Sequence, residues 1–416
     1  MESFRETDKL KSTKFGLSKN VISMGWVSFL NDLSSDMIFP FIPIFVTSVL
    51  GASATFVGLI EGIADATASF LKIISGKLSD KWNIRKPFMV FGYSLSAISK
   101  PLLAFATAPW HVLVVRFLDR VGKGSRDAPR DTLISLSTEK RLIGRAFGFH
   151  RGADTFGAAL GPLVAFLILP LIQNDLRTLF LLSFVASFVA VIILAYFVKE
   201  IGVSKSAIDN LNIETTTPKE KIGFKTLGIP FLFFLAAATI FNLGRASEAF
   251  LLLRAQDIGI TLALIPIIYF VYNTSFALLA TPAGILSDRI GHRNTFMIGM
   301  LVFSVSYLFF ASLASPDLIW IIFILYSLYG ALTEGVGRAI VANLVEEKHR
   351  GTAFGVYNAF TGFALLPAGL IFGLLWDNFG PSFSFYYGAS LGIISLLIFL
   401  FLRVVVKTTD TTGGKN

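Results

Sequence analysis

Apolar stretches of about 20 residues or more, long enough to cross a bilayer, recur along this chain between short polar turns. They predict helical spans at 21–50, 52–76, 87–108, 110–136, 142–172, 178–198, 227–253, 261–286, 293–314, 317–344, 351–375 and 382–405. One longer polar stretch breaks the series: residues 199–226, with KEIGVSKSAIDNLNIETTTPKEK, read as a linker. The expected organisation is a tail at 1–20, a six-helix bundle at 21–198, the linker at 199–226, a second six-helix bundle at 227–405 and a tail at 406–416.

Composition narrows the class. The chain is 54% hydrophobic and only 15% charged. A soluble protein this apolar would expose large patches and aggregate. The fold class is therefore all-α integral membrane, with twelve transmembrane helices in two pseudo-symmetric halves. Residues 1–20 hold eight charges and no apolar core, so they are not a cleavable signal, and the first span is expected to direct insertion. There is no cysteine, which excludes disulfides and thiolate metal sites. The four histidines, His111, His150, His292 and His349, are dispersed, and neither HExxH nor GxSxG occurs. We expect no bound metal, no cofactor and no enzyme activity.

The net charge of +9 has a simple origin. The bases gather in the short loops of one side: Lys77, Lys81, Arg85 and Lys86; Lys140, Arg141 and Arg145; Arg289 and Arg293; Lys348 and Arg350. The opposite loops offer little beyond Arg177 and Arg254. This bias places both termini in the cytoplasm of a cell that inserts the chain in its inner membrane. It argues for lipid rather than nucleic acid as the surrounding partner.

The two halves repeat. GKLSDKWNIRK at 76–86 matches GILSDRIGHRN at 284–294, and GRAFG at 144–148 matches GTAFG at 351–355. Secondary transporters build an alternating-access machine from such repeats. The loop G-x-L-S-D-(R/K)-x-x-x-(R/K), present between spans 2 and 3 and again between 8 and 9, resembles the signature loop of the major facilitator superfamily. That resemblance implies a monomeric transporter and gating by Gly76, Asp80, Arg85, Gly284, Asp288 and Arg289. Gly76 and Gly284 should allow close helix approach. Asp80 and Asp288 should face a neighbouring helix N-terminus. The first copy departs from the pattern: Asn83 stands where glycine is usual, so a looser turn is expected there.

One span is not apolar. From Arg116 to Asp131, in VVRFLDRVGKGSRDAPRD, lie eight charges: Arg116, Asp119, Arg120, Lys123, Arg126, Asp127, Arg130 and Asp131. At a lipid-facing helix centre each would cost roughly 2.5–3.5 kcal/mol. On a helical wheel all eight fall within an arc of about 140°. Span 4 is thus expected to be a membrane helix with its charged face turned inward and a bend at Pro129. GKGS is not a phosphate loop: Phe117 and Gly124 stand where that motif needs glycine and a hydroxyl.

Facing charges lie on other spans. Asp32 and Asp36 share a face of span 1 beside Asn31, Glu61 and Asp65 share a face of span 2, and Arg151 and Asp154 share one of span 5. Mutual neutralisation is one reading, because an unpaired charge in a membrane is costly. Proton coupling is the other, with Asp32, Asp36, Glu61 and Asp65 as candidate carriers. Arg116, Asp119, Arg120, Lys123, Arg151 and Asp154 are candidates for charge switching or for gripping an anion. In the family pattern an arginine of span 4 is linked to proton coupling, and Arg116 matches it best. The second half carries fewer charges. Its cavity-lining candidates are Asn242, Arg245, Glu248, Asn273, Glu334, Arg338 and Asn358.

GAALGPLV in span 5 resembles the G-x-x-x-G-P motif of exporting antiporters, with Gly157, Gly161 and Pro162 in the motif positions. The expected function is proton-coupled export of a small organic solute. The alternative is transport of a carboxylated anion, such as a metabolite or siderophore, in either direction. A membrane enzyme and a non-transporting sensor are rival classes without a motif or an appended domain to support them.

Overall fold

The computed structural model describes residues 16–139, 142–201, 227–313, 315–334, 336–346 and 349–412, apart from the side chains of 351 and 402–412. The expected linker beyond residue 201, most of the N-terminal tail, the end of the C-terminal tail, and Lys140, Arg141 and Lys348 lie outside these residues. Among the described residues every regular element is a helix. We number the main ones α1 (Lys19–Ile38), α2 (Ala54–Trp82), α3 (Lys86–Leu102), α4 (Pro109–Leu136), α5 (Ile143–Ile168), α6 (Leu176–Phe197), α7 (Ile229–Gly244), α8 (Glu248–Asp257), α9 (Ile265–Ile290), α10 (His292–Ser312), α11 (Ile319–Thr333), α12 (Val336–Leu344), α13 (Arg350–Phe379) and α14 (Pro381–Thr412). Short turns of helix extend α1 to Val49.

Local chemistry sets the starts. Ser18 caps α1 by accepting from Val21 N. Asp175 caps α6, accepting from Arg177 N and Thr178 N at 3.1 Å each and from the Thr178 hydroxyl at 2.6 Å. The Thr178 bond foremost holds the Asp175 carboxyl below the usual carboxylate range. Prolines open α3, α4, α7 and α9, where the first N–H has no helical partner to lose.

Ten of these segments are long and apolar enough to cross a membrane among the described residues. The other two expected spans are α2 and α4, helices of 29 and 28 residues that carry the charges noted above. Twelve spans result, the seventh made of α7 and α8 and the tenth of α11 and α12. Both interruptions fall inside stretches that the hydrophobic pattern reads as continuous. The side chains that face outward are large and apolar, among them Trp26, Phe105, Leu171, Tyr196, Phe363 and Phe383. Such a surface belongs in lipid.

The chain forms two compact units. The first comprises Met1–Phe45 and Thr67–Thr215, the second Val46–Ala66 and Thr216–Asn416. The division expected from sequence, 21–198 against 227–405, thus differs by one segment. The start of α2 goes with the second unit because it packs on α13 within that unit. A Cβ on Gly58 would lie 2.0 Å from Gly369 O, and one on Gly373 would lie 2.5 Å from Thr55 Cα. Only glycine lets two backbones meet this closely.

Candidate functional site

In the first unit α4 is a continuous helix through Pro129, with its charges facing protein. Two glycines make room for it. A Cβ on Gly122 would sit 2.5 Å from Gly92 O of α3, and one on Gly124 would sit 2.7 Å from Leu71 Cβ of α2. Ser75 Oγ of α2 donates to Gly124 O at 2.7 Å. The glycines of GKGS are therefore packing positions, as rejection of the phosphate loop requires.

The charges close on one another along α4. Asp119 lies 3.6 Å from Arg116 Nη1 and 3.9 Å from Arg120 Nε. Asp127 lies 3.6 Å from Arg130 Nη1 and 3.9 Å from Lys72 Nζ, and Arg130 also reaches Asp131 at 3.0 Å. Arg116 is only 6% exposed, and its guanidinium lies over the Phe39 ring. Arg126 forms no ion pair among the described residues. It donates to Ser96 Oγ at 2.7 Å and covers the Tyr93 ring at 4.3 Å. Lys123 is exposed. The expected neutralisation is thus visible as short-range pairs, most of them within α4 itself.

Carboxyls of α1 and α5 meet at the same level. The Asp32 and Asp154 carboxyls lie beside one another. Asp36 and Lys123 also face Asp32, and Arg130, His150 and Arg151 face Asp154. Asn31 Nδ2 donates to Asp32 Oδ1 at 3.0 Å, and Arg151 Nη1 to Asp154 Oδ2 at 3.3 Å. The helices come this close because Gly157 and Gly161 present bare backbone. Added Cβ atoms would lie 2.3 Å from Phe29 O and 2.6 Å from Leu33 O of α1. The motif Gly157–Gly161–Pro162 is therefore the seam between α5 and α1.

Lys100, 3% exposed, is a buried charge that sequence reasoning did not place. It donates to Ser34 Oγ at 2.9 Å and to Asn31 O at 3.3 Å, and Ser34 Oγ donates onward to Ser183 O. One side chain so ties α3 to α1 and, through Ser34, to α6. His150 also escaped assignment. It is buried against Ser28 Oγ at 2.8 Å. Glu61 is buried and Asp65 half-buried; both lie in the part of α2 that belongs to the second unit.

The signature loop needs correcting. Asp80 does not cap a helix; it is 65% exposed and pairs with Arg85 Nη2 at 3.4 Å. The helix N-terminus beside it is taken by Glu200, which accepts from Arg85 N at 3.0 Å and Lys86 N at 2.6 Å. Asn83 does not loosen the turn. It adopts φ +55°, the conformation glycine would supply, and its Oδ1 accepts from Arg85 Nη1. Gly76 does give close approach, 3.3 Å from its added Cβ to Ala128 Cβ, whereas Gly284 has nothing within 4 Å and Asp288 is exposed. Arg289 is exposed as well. Arg254, expected in a loop, is a buried residue of α8. It caps the end of α10 through Phe310 O and Leu313 O.

The second unit is aromatic where the first is charged. Its seventh span breaks at Arg245–Ser247, and tyrosines satisfy the freed backbone: Tyr307 Oη accepts from Ala246 N at 3.1 Å, and Tyr387 Oη donates to Leu243 O at 3.3 Å. Arg245 bridges the break to Glu248 at 3.4 Å. Asn242 and Asn273 are half-buried, while Glu334, Arg338 and Asn358 are exposed. Further along the same unit, Asp377 caps α2, accepting from Ala54 N at 2.9 Å and Thr55 N at 2.8 Å. A cavity of about 450 Å³ lies beside this clasp, lined by Ser53, Leu253, Gln256, Asp257 and Trp376 among others.

Known proteins resemble this chain over most of its length. The sequence profile of the Major Facilitator Superfamily matches residues 24–252 and 231–415. An uncharacterized MFS-type transporter of Methanocaldococcus jannaschii is 38% identical over 392 residues, covering 93% of this chain and 95% of that protein. The multi-drug resistance efflux pump PmrA of Streptococcus pneumoniae is 27% identical over 330 residues, covering 76% and 80%. Among solved structures, the peptide transporter POT in complex with sulfate superposes with a TM-score of 0.77 at 13% identity, covering 98% of each chain. A profile spanning both halves, a relative matched nearly end to end and a shared all-helical membrane fold lead to one conclusion: the chain belongs to the Major Facilitator Superfamily of membrane transporters.

Proposed function

We propose that the chain exports an organic solute in exchange for protons, by alternating access between two bundles at 21–198 and 227–405. Both termini are cytoplasmic on this reading, as the basic loops imply. The carrying observation is the tight seam of α5 on α1 at the bare backbones of Gly157 and Gly161, which brings the Asp154 carboxyl beside that of Asp32. Two carboxylates repel, so two carboxyls held side by side in a membrane favour sharing one proton. A membrane-embedded site that stores one proton, ringed by Asp36, Lys123, Arg130 and Arg151, suits proton coupling. Movement of α5 against α1 along the Gly157–Gly161 seam would separate the pair and release it.

Export is supported by the likeness to the efflux pump PmrA and by the Gly157–Gly161–Pro162 seam. The anion reading has less support. Arg116 and Arg120, its proposed grip, are drawn onto Asp119.

The test uses proteoliposomes carrying a pH-sensitive dye and an imposed pH gradient, with ethidium, tetracycline and benzoate as probes. Proton movement driven by ethidium or tetracycline, lost in Asp32→Asn and in Asp154→Asn, supports the reading. Proton movement that survives both substitutions, or that only benzoate elicits, refutes it.

A further inference from the structure

The start of α4 carries a histidine that the transport reading does not use. α4 opens at Pro109, and His111 stands at its third position. The imidazole reaches back over the turn that joins α3 to α4. Its Nδ1 accepts from Thr107 N and from Ala108 N, at 3.2 Å each. A back-bond from the third helical position to the residue before the helix is one half of a capping box, and Glu or Gln usually makes it. Ala108, at the N-cap, brings no oxygen for the other half. Among the described residues the imidazole is therefore the side chain that caps this end.

The choice of histidine makes the cap conditional. Glutamine accepts through a carbonyl oxygen at any pH. Imidazole accepts through Nδ1 only while neutral, because both ring nitrogens of the cation donate. Histidine is also the side chain that ordinarily changes charge between about pH 5 and 8. Protonated, His111 would turn an N–H toward two backbone N–H groups. It would also set a positive charge at the positive end of a helix dipole. Both effects favour release. His111 itself forms no ion pair among the described residues, and the charges nearest in the fold are engaged elsewhere. Arg177 of α6 donates to Ala104 O and lies over the Phe45 ring, Asp175 caps α6, and Arg116, the next charge along α4, pairs with Asp119. Water reaches the site: Thr107 is exposed, His111 half-buried, and the Trp110 ring beside the imidazole is 58% exposed.

We propose that His111 is a pH-sensitive cap on α4. Neutral, it closes the turn between α3 and α4. Protonated, it lets that turn and the first turn of α4 loosen. The cap is present at high pH and lost as the pH falls. On the topology proposed above, this turn lies on the side away from the cytoplasm, so the acidity it senses is that of the outer side. The switch itself needs neither proton coupling nor export.

Hydrogen exchange of the full chain in lipid nanodiscs, which leave both faces open to buffer, tests this at pH 7.5 and pH 5.5. Rates are corrected for the intrinsic pH dependence of exchange, and the start of α6, capped by Asp175, is the internal reference. Protection of the Thr107 and Ala108 amides should fall about fivefold at the lower pH, the loss of one helix cap. His111→Gln should keep the protection at both pH values, and His111→Ala should lack it at both. Equal protection of the parent protein at the two values would overturn the proposal. So would protection that survives His111→Ala, or a fall as large in His111→Gln as in the parent, which would put the pH effect elsewhere.

Discussion

The two units solve the cost of a polar interior in different ways. The first fills its interior with ions and closes them on one another: Asp119 holds Arg116 and Arg120, and Asp127 holds Lys72 and Arg130. The second relies more on rings and single hydrogen bonds, with Tyr307 and Tyr387 mending a broken helix, and its buried charges, Glu61 and Arg254 among them, are spread over several helices. If the chain exchanges protons for a solute, the difference separates two kinds of work. Ion pairs that exchange partners suit moving a proton. An aromatic interior suits holding an organic body.

The largest expected effect tests this contrast directly. Asp119→Ala leaves two buried guanidiniums without their shared carboxylate, and breaking a buried pair costs about 3–5 kcal/mol. Glu248→Gln frees an Arg245 whose side chain is 37% exposed, so solvent takes over and the loss is under about 1 kcal/mol. Reversible unfolding in mixed detergent micelles measures both. Equal losses would mean that the aromatic unit depends on its ions as much as the charged one does.

A second effect is smaller and compares two glycines of the second unit that differ in what they touch. Gly369→Leu forces apart two backbones whose Cβ gap is 2.5 Å to Gly58 O, and overpacking of that kind costs about 1–3 kcal/mol. Gly284→Leu meets nothing within 4 Å and gains helix propensity, so it should be neutral or stabilising by up to about 1 kcal/mol. Because the chain has no cysteine, a single pair of introduced cysteines with spin labels on α2 and α13 can report whether Gly369→Leu also widens the α2–α13 distance. A distance distribution identical to the parent's would show that the seam is packing alone.

Much of this was legible in the chain. Ten of the twelve spans follow from apolar runs, and the charged face of α4 follows from a wheel, because both depend on local periodicity. The breaks at Arg245 and Glu334 were not. Apolar residues flank both, and only the Ser247 cap before Glu248 offered a local sign of a new helix start. The acid at the α3 N-terminus was misassigned to Asp80 because the true one, Glu200, comes from more than a hundred residues away. The clasp of Asp377 on Thr55 spans a still longer separation. Contacts between distant segments leave no periodic trace. Neither does a missing partner: that the buried Tyr326 hydroxyl finds none among the described residues shows only in three dimensions.

The smallest effect compares the two copies of the signature loop, one in each half. Gly291 takes φ +85° with no side chain, and Asn83 takes φ +55° with one that bonds Arg85. Asparagine tolerates the left-handed region, but at a cost that glycine does not bear. Asn83→Gly therefore trades a side-chain hydrogen bond for a relaxed backbone, and stability should change by less than about 0.5 kcal/mol. Asn83→Ala loses the bond and keeps the strain, so it should cost about 1–2 kcal/mol. Unfolding of the two variants side by side separates the terms. If Gly and Ala cost the same, the bond to Arg85 carries the turn and backbone conformation does not. If Gly alone is tolerated, the first copy is a glycine turn in which asparagine supplies both the shape and the contact that its counterpart lacks.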